Sequence, residues 1–329
     1  MKKRLTALAG AAAGAGLLWL ALRGLDLGAL ASSFARADAR VALPVLLLDL
    51  LELYFRSLRW RLLLAPSTGA GLADAFRLEA SALALNNLLP LRLGEAVRGA
   101  WGASRFNAPA ATVFATMAVE RAMDAAALTL LFLGAVALGG GPAGLGGVGQ
   151  LWLLPAGLLA ALAALAFGGG LARRGPLAAF VERFPAAAAF GRRLSQGAAA
   201  LRSPGAAAAA AALALLQWLV NALNIWLIAR AFGLGPAVGP ARSLSLLFAG
   251  AVSVSLPGLP GYFGNFEFAL ARTLGGWGVP PDAAFAYAAL SHILSYAVFT
   301  GAGLVCLYSL GQSPAKVWRR FSGAAEVSP

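Results

Sequence analysis

Six long runs of apolar residues constrain this chain more than anything else in it. They lie near 5–23, 41–64, 110–138, 150–170, 205–231 and 283–310. Each approaches or exceeds the roughly 20 residues a helix needs to cross hydrocarbon. The runs are continuous rather than alternating, which argues against a transmembrane barrel. Only 12% of residues are charged against 60% hydrophobic, and mean hydropathy is +0.77. A soluble domain carries about twice that share of charge. The expected fold is an all-α integral membrane protein, one membrane domain over 1–329.

The net charge of +13 would suggest nucleic acid in a soluble protein. Here the basic residues cluster between apolar runs, and no interleaved aromatic motif accompanies them, so no nucleic-acid partner is expected. Lys2, Lys3 and Arg4 precede the first run, and Arg56, Arg59 and Arg61 close the second. The stretch 171–204 holds six arginines against Glu182, and Lys316, Arg319 and Arg320 follow the last run. The positive-inside rule puts all four clusters, and both termini, in the cytoplasm. The segment 171–204 reads as a basic amphipathic element on anionic phospholipid headgroups. The start resembles a signal peptide but reads as a retained span. Cys306 alone gives neither a disulfide nor a metal pattern, and no cofactor is expected.

This orientation has a consequence for two remaining apolar stretches, 73–105 and 240–278, each broken by proline and glycine. Each must enter and return on the same side. They are expected as two oppositely oriented re-entrant hairpins, or pairs of short helices, added to six transmembrane helices. The order span, hairpin, span then occurs twice, over 41–138 and 205–310, as an inverted repeat. The first break carries Pro90, Gly94 and Glu95. The second carries Pro257, Pro260, Gly261, Gly264 and Glu267. Unpaired backbone at such breaks is tolerated only beside protein or a water-filled cavity. The breaks are therefore expected to face each other across a polar cavity.

Ionisable residues at membrane depth are costly and often functional. Asp49, Glu52, Arg56 and Arg59 are spaced for one helical face, either as a self-neutralising ladder or as a cavity wall. Asn86, Asn87, Arg92, Glu95 and Arg98 flank the first break, among leucines too numerous for a free loop. Glu120, Arg121 and Asp124 lie roughly 15 Å into their span, as cavity residues or a structural ion pair. Gln217, Asn221 and Asn224 form a polar face on the fifth span. His292 lies at the matching depth of the last, as an acid–base group or a satisfied core residue. Arginines near a break suit phosphate, and acids beside them suit an amine or a sugar hydroxyl. Membrane lipids are the expected partners.

Three segments together carry a family resemblance. They are Asn86-Asn87-Leu88-Leu89-Pro90-Leu91-Arg92-Leu93-Gly94-Glu95 with Arg98, Glu120-Arg121 with Asp124, and Pro260-Gly261-Tyr262-Phe263-Gly264-Asn265-Phe266-Glu267. The chain resembles the lysylphosphatidylglycerol synthase transmembrane-domain family from its second span to its end. That resemblance implies a lipid flippase fold in a bacterial cytoplasmic membrane. In bifunctional members this part translocates aminoacylated phosphatidylglycerol made by a fused synthase. The chain reads as a stand-alone member, so aminoacyl transfer from tRNA is not carried over. The family often has arginine near the position of His292, and this chain departs from it there.

The function expected is translocation of a phospholipid or lipid-linked headgroup. Arg92, Arg98 and Arg121 would hold phosphate. Glu95, Glu120, Asp124 and Glu267 would hold the polar head or gate the cavity. The rivals are a membrane-embedded enzyme acting on lipid or polyprenyl phosphate and a non-transporting scaffold for a glycosyltransferase. No zinc pattern, nucleophile elbow or metal-binding acid pair supports the enzyme. Glycines in the first span (Gly10, Gly14, Gly16) permit close packing and leave a homo-oligomer open.

Overall fold

Helices account for every regular element among the described residues of the computed structural model, which are 2–141, 153–167, 185–256 and 258–322. The first two are α1 (Lys2–Leu22) and α2 (Leu27–Arg36), a short helix not anticipated from hydropathy. Asp26 caps α2 by accepting from the Gly28 and Ala29 amides, and its own N–H donates to Asp282. Then come α3 (Ala42–Leu64), α4 (Leu72–Leu88), α5 (Leu93–Arg105) and α6 (Ala110–Ala137). They are followed by α7 (Leu153–Phe167) and α8 (Pro185–Gly197). The last five are α9 (Pro204–Ala231), α10 (Pro240–Ser253), α11 (Asn265–Gly275), α12 (Pro281–Ser309) and α13 (Pro314–Ser322). Proline opens α9, α10 and α12, where the missing N–H costs nothing. Pro257 and residues 171–184 of the basic segment lie outside the described residues.

The burial pattern is inverted relative to a soluble protein. On α3 the charged side chains Asp49, Glu52, Arg56 and Arg59 are buried, while Leu43, Leu46, Leu47 and Leu51 face outward. Outward apolar residues recur on α9 (Leu215, Leu216, Leu219, Leu223) and α12 (Ile293, Val305). Water cannot stabilise such an arrangement, whereas lipid tails can. Helices α9 and α12 are long and apolar enough to cross a membrane.

Close packing in place of a hydrophobic driving force holds such helices together. Helix α4 lies along α12, and α3 along α9. A Cβ at Gly303 would overlap the Ala80 carbonyl, so glycine is what lets α12 approach α4. Phe132 of α6 stacks on Phe248 of α10 with centroids 4.2 Å apart.

The two interrupted stretches each fold as a pair of short helices around a proline turn. Leu89 is extended, as a residue before proline prefers. Pro90 then opens a single 3-10 turn in which Leu91 (φ 63°) and Arg92 (φ 54°) are left-handed. The second break repeats this conformation at Pro260, with Gly261 (φ 71°) and Tyr262 (φ 64°). Three of these four are not glycine, and each costs about 1 kcal/mol or more.

Candidate functional site

The site is assembled from α3, α4, α5 and α6, with α9 and α12 closing it. Helical spacing brings Asp49, Glu52, Arg56 and Arg59 to the inner face of α3, and their partners lie mostly on other helices. Arg56 Nε donates to Glu79 Oε1 of α4 at 2.9 Å, while Glu52 of its own helix is 4.0 Å away. The second Glu79 oxygen pairs with Arg98 of α5. Arg98 also donates to Glu120 Oε2 of α6 at 2.5 Å, and its guanidinium lies 4.3 Å over the Trp60 ring. Arg59 Nη2 stands 2.7 Å from Asp124 and 3.7 Å from Glu120. It meets neither in hydrogen-bonding direction, so these contacts are ion pairs only. Arg121 donates to Glu120 Oε1 at 2.7 Å and lies 3.5 Å from Asp124 Oδ2. Four guanidinium groups therefore meet four carboxylates, and the set is neutral.

The members differ sharply in access. Arg98, Arg59, Glu79 and Glu120 are enclosed, while 45% of the Arg121 side chain is exposed. Arg98 has both terminal nitrogens committed to carboxylates. Glu95 is half-buried and makes no hydrogen bond or ion pair among the described residues. Gly94 has a structural reason to be glycine. A Cβ there would overlap the Ala82 carbonyl and lie 2.7 Å from Asn86 Oδ1, where α4 turns back into α5.

A second polar seam joins α3 to α9. Asn224 Nδ2 donates to Asp49 Oδ1 at 2.6 Å, and Asn221 Nδ2 to Glu52 Oε2 at 2.9 Å. Rising numbers on α3 meet falling numbers on α9, so the helices are antiparallel. One turn further along α9, Gln217 is fully buried with neither amide atom hydrogen-bonded. Ser295 of α12 donates to Asp49 Oδ1 at 3.4 Å.

A third cluster stands apart from the arginine network. Glu267 accepts from the Gly264 N–H at 2.7 Å, which fixes the start of α11. Its other oxygen is 2.6 Å from His292 Nδ1. Phe263 and Phe266 flank the imidazole at 4.6 and 4.9 Å between centroids, with Tyr296 at 6.3 Å.

The two proline turns touch. Arg92 Nε donates to Tyr262 Oη at 3.0 Å, and Nη2 to the Val254 carbonyl at 3.2 Å. The guanidinium also lies 5.3 Å over the Tyr262 ring. Asn87 donates to Thr300 of α12 at 2.9 Å, while Asn86 keeps a buried Oδ1 without a partner. Among the described residues no three His, Cys, Asp or Glu side chains converge to hold a metal ion.

Of the residues singled out in the sequence, Glu52, Arg98, Glu120, Arg121 and Asp124 come together, as do Asp49 with Asn224 and Glu267 with His292. Glu79 was missed, although it accepts from Arg56 and forms an ion pair with Arg98. Its signal was an acid between Leu78 and Ala80, followed by the run Ser81–Leu85. Trp60, Ser295 and Thr300 carried no signal that distinguishes them from packing residues.

No curated protein and no solved structure matches the chain. One family model does, that of the lysylphosphatidylglycerol synthase TM region, over residues 7–303. With helices whose charged faces turn inward and apolar faces outward, the chain belongs to the lysylphosphatidylglycerol synthase TM region family of membrane proteins.

Proposed function

We propose that this protein translocates a phospholipid or lipid-linked headgroup across the bacterial cytoplasmic membrane, and that it does so without catalysing a covalent step. In this reading 41–138 and 205–310 are inverted repeat units. Helices α4–α5 and α10–α11 are broken hairpins entering from opposite faces, six longer helices cross, and both termini are cytoplasmic. The helix pairings support it: α4 on α12 is matched by α10 on α6, and α3 lies antiparallel to α9.

The observation that carries the proposal is the contact between the two proline turns through Arg92 and Tyr262. Two broken hairpins meeting inside a membrane protein are the arrangement used for alternating access. A headgroup passing between them must separate that contact. Exposed Arg92 and half-exposed Arg121 are the arginines placed to receive phosphate. Arg98 instead holds the surrounding carboxylates. A headgroup without such a polar path would pay several kcal/mol per unpaired group in hydrocarbon.

The test is movement of fluorescent phospholipids in proteoliposomes, over a panel of aminoacylated, zwitterionic and polyprenyl-linked forms. Wild type is expected to move at least one, and folded Arg121→Ala and Glu95→Gln variants to lose that movement. Absence of movement across the whole panel overturns the proposal. It would leave an enzyme acting on lipid phosphate, detected as product formation, or a scaffold whose phenotype survives both substitutions.

A further inference from the structure

Six carboxylates are buried among the described residues: Asp49, Glu52, Glu79, Glu120, Asp124 and Glu267. Five have a basic partner within 4.0 Å. Asp49 has none. It is 1% exposed and is met only by neutral donors, the Asn224 amide and the Ser295 hydroxyl, both on Oδ1. Its second oxygen, Oδ2, has no hydrogen-bond partner, and neither does the Asn224 carbonyl oxygen.

The neighbouring helices do not supply the missing charge. On α3 itself, Glu52 is held by Asn221 and approached by Arg56. Glu79 of α4 and Glu120 and Asp124 of α6 are committed to arginines. From α9 only amides reach Asp49. On α12, His292 lies one turn from Ser295 and is held by Glu267. The arginine network is balanced without Asp49, so the seam is short by one positive charge. An uncompensated carboxylate at this depth is costly. Two unpartnered buried oxygens from facing helices are the donors a small hard cation takes.

We propose that Asp49, with Asn224 and Ser295, forms a binding site for one monovalent cation, a proton or Na⁺, between α3, α9 and α12. All three helices lie at the junction of the two halves of the chain. Occupancy neutralises Asp49 and lets α3 and α9 close. Vacancy leaves a charge that draws water into the seam and favours their separation. Use of this cation to drive headgroup movement rests on the translocation reading. The site itself does not, because its occupancy is measured without moving lipid.

The experiment uses purified full-length protein in detergent. It measures ²²Na⁺ binding with choline as the balancing cation, and infrared absorption of protonated buried carboxyl groups in H₂O and D₂O. Wild type is compared with Asp49→Asn and Ser295→Ala, each checked for a native elution profile. Saturable Na⁺ binding that Asp49→Asn weakens roughly tenfold or more identifies a Na⁺ site. No Na⁺ binding, with a D₂O-sensitive carboxyl band that Asp49→Asn removes, identifies a proton site. Neither signal in folded wild type overturns the proposal. If Asp49→Asn does not fold, Ser295→Ala decides: weaker Na⁺ binding or a shifted carboxyl band supports the site, and an unchanged profile in both overturns it.

Discussion

Arg92 and Tyr262 hold the same place in two separate turns. Each is the third residue of a proline-initiated 3-10 turn, each is left-handed, and the guanidinium of one donates to the hydroxyl of the other at 3.0 Å. Two strained backbones therefore stabilise each other across the joint between α4–α5 and α10–α11. A contact of this kind is worth about 1 kcal/mol from the hydrogen bond and ~0.5–1 kcal/mol from the ring. In the translocation proposed above, that is strong enough to hold the two turns together and weak enough to let them part.

If opening is required, tethering the two turns stops movement. Cysteines replacing Arg92 and Tyr262, in a Cys306→Ala background, are expected to react with a short bifunctional thiol crosslinker. Lipid movement should be reduced but measurable in the uncrosslinked double variant, which lacks Arg92, and should fall to the protein-free rate after crosslinking. Movement that survives complete crosslinking would show that the turns need not part.

Glu79 holds two arginines at once, Arg56 and Arg98. Glu79→Gln leaves a buried charge on each side short of a partner, which costs about 3–5 kcal/mol. The variant is expected to lose monodispersity or melt far below wild type in a detergent thermal-shift measurement. Adding Arg98→Met removes one of the two orphaned charges and should recover part of that loss. No recovery would mean that the cost of Glu79→Gln lies elsewhere than in orphaned charge.

Arg121 and Arg98 separate structure from function. Both touch Glu120, but 45% of the Arg121 side chain is exposed while Arg98 is enclosed under Trp60. Arg121→Ala should cost about 1 kcal/mol or less in stability, because its side chain is half exposed and the buried Glu120 keeps Arg98. Arg98→Ala should cost several times more. Equal losses of thermal stability would contradict the difference in burial.

The legibility of these features in the sequence followed their dependence on local pattern. Helix positions were readable because length and apolarity are local, and α3, α6, α9 and α12 fall over their expected runs to within two residues. Short amphipathic α2 was not, since ten residues give too weak a periodicity. The inward face of α3 was readable from spacing, but not whether its charges pair within or between helices. That depended on Glu79, which sits on a different helix. Likewise nothing in the order of residues announces that Asn221 and Asn224 meet Glu52 and Asp49, because the antiparallel register of α3 and α9 is a property of packing. The same limit hid Ser295.

Glu267 and His292 give a final test, because their bond serves the backbone as well as each other. Glu267 fixes the first turn of α11 through the Gly264 N–H, and His292 of α12 holds the other oxygen at 2.6 Å. Removing either partner leaves the other buried among Phe263, Phe266 and Tyr296. Glu267→Gln keeps an acceptor for Gly264 and a neutral partner for the imidazole, so it should lose less thermal stability than Glu267→Ala. The double variant Glu267→Ala with His292→Ala should lose less than the two single alanine variants together, by about 0.5–3 kcal/mol of coupling. Strict additivity in thermal unfolding would mean that the pair contributes no mutual stabilisation, and that α11 is held by packing against α1, α10 and α12.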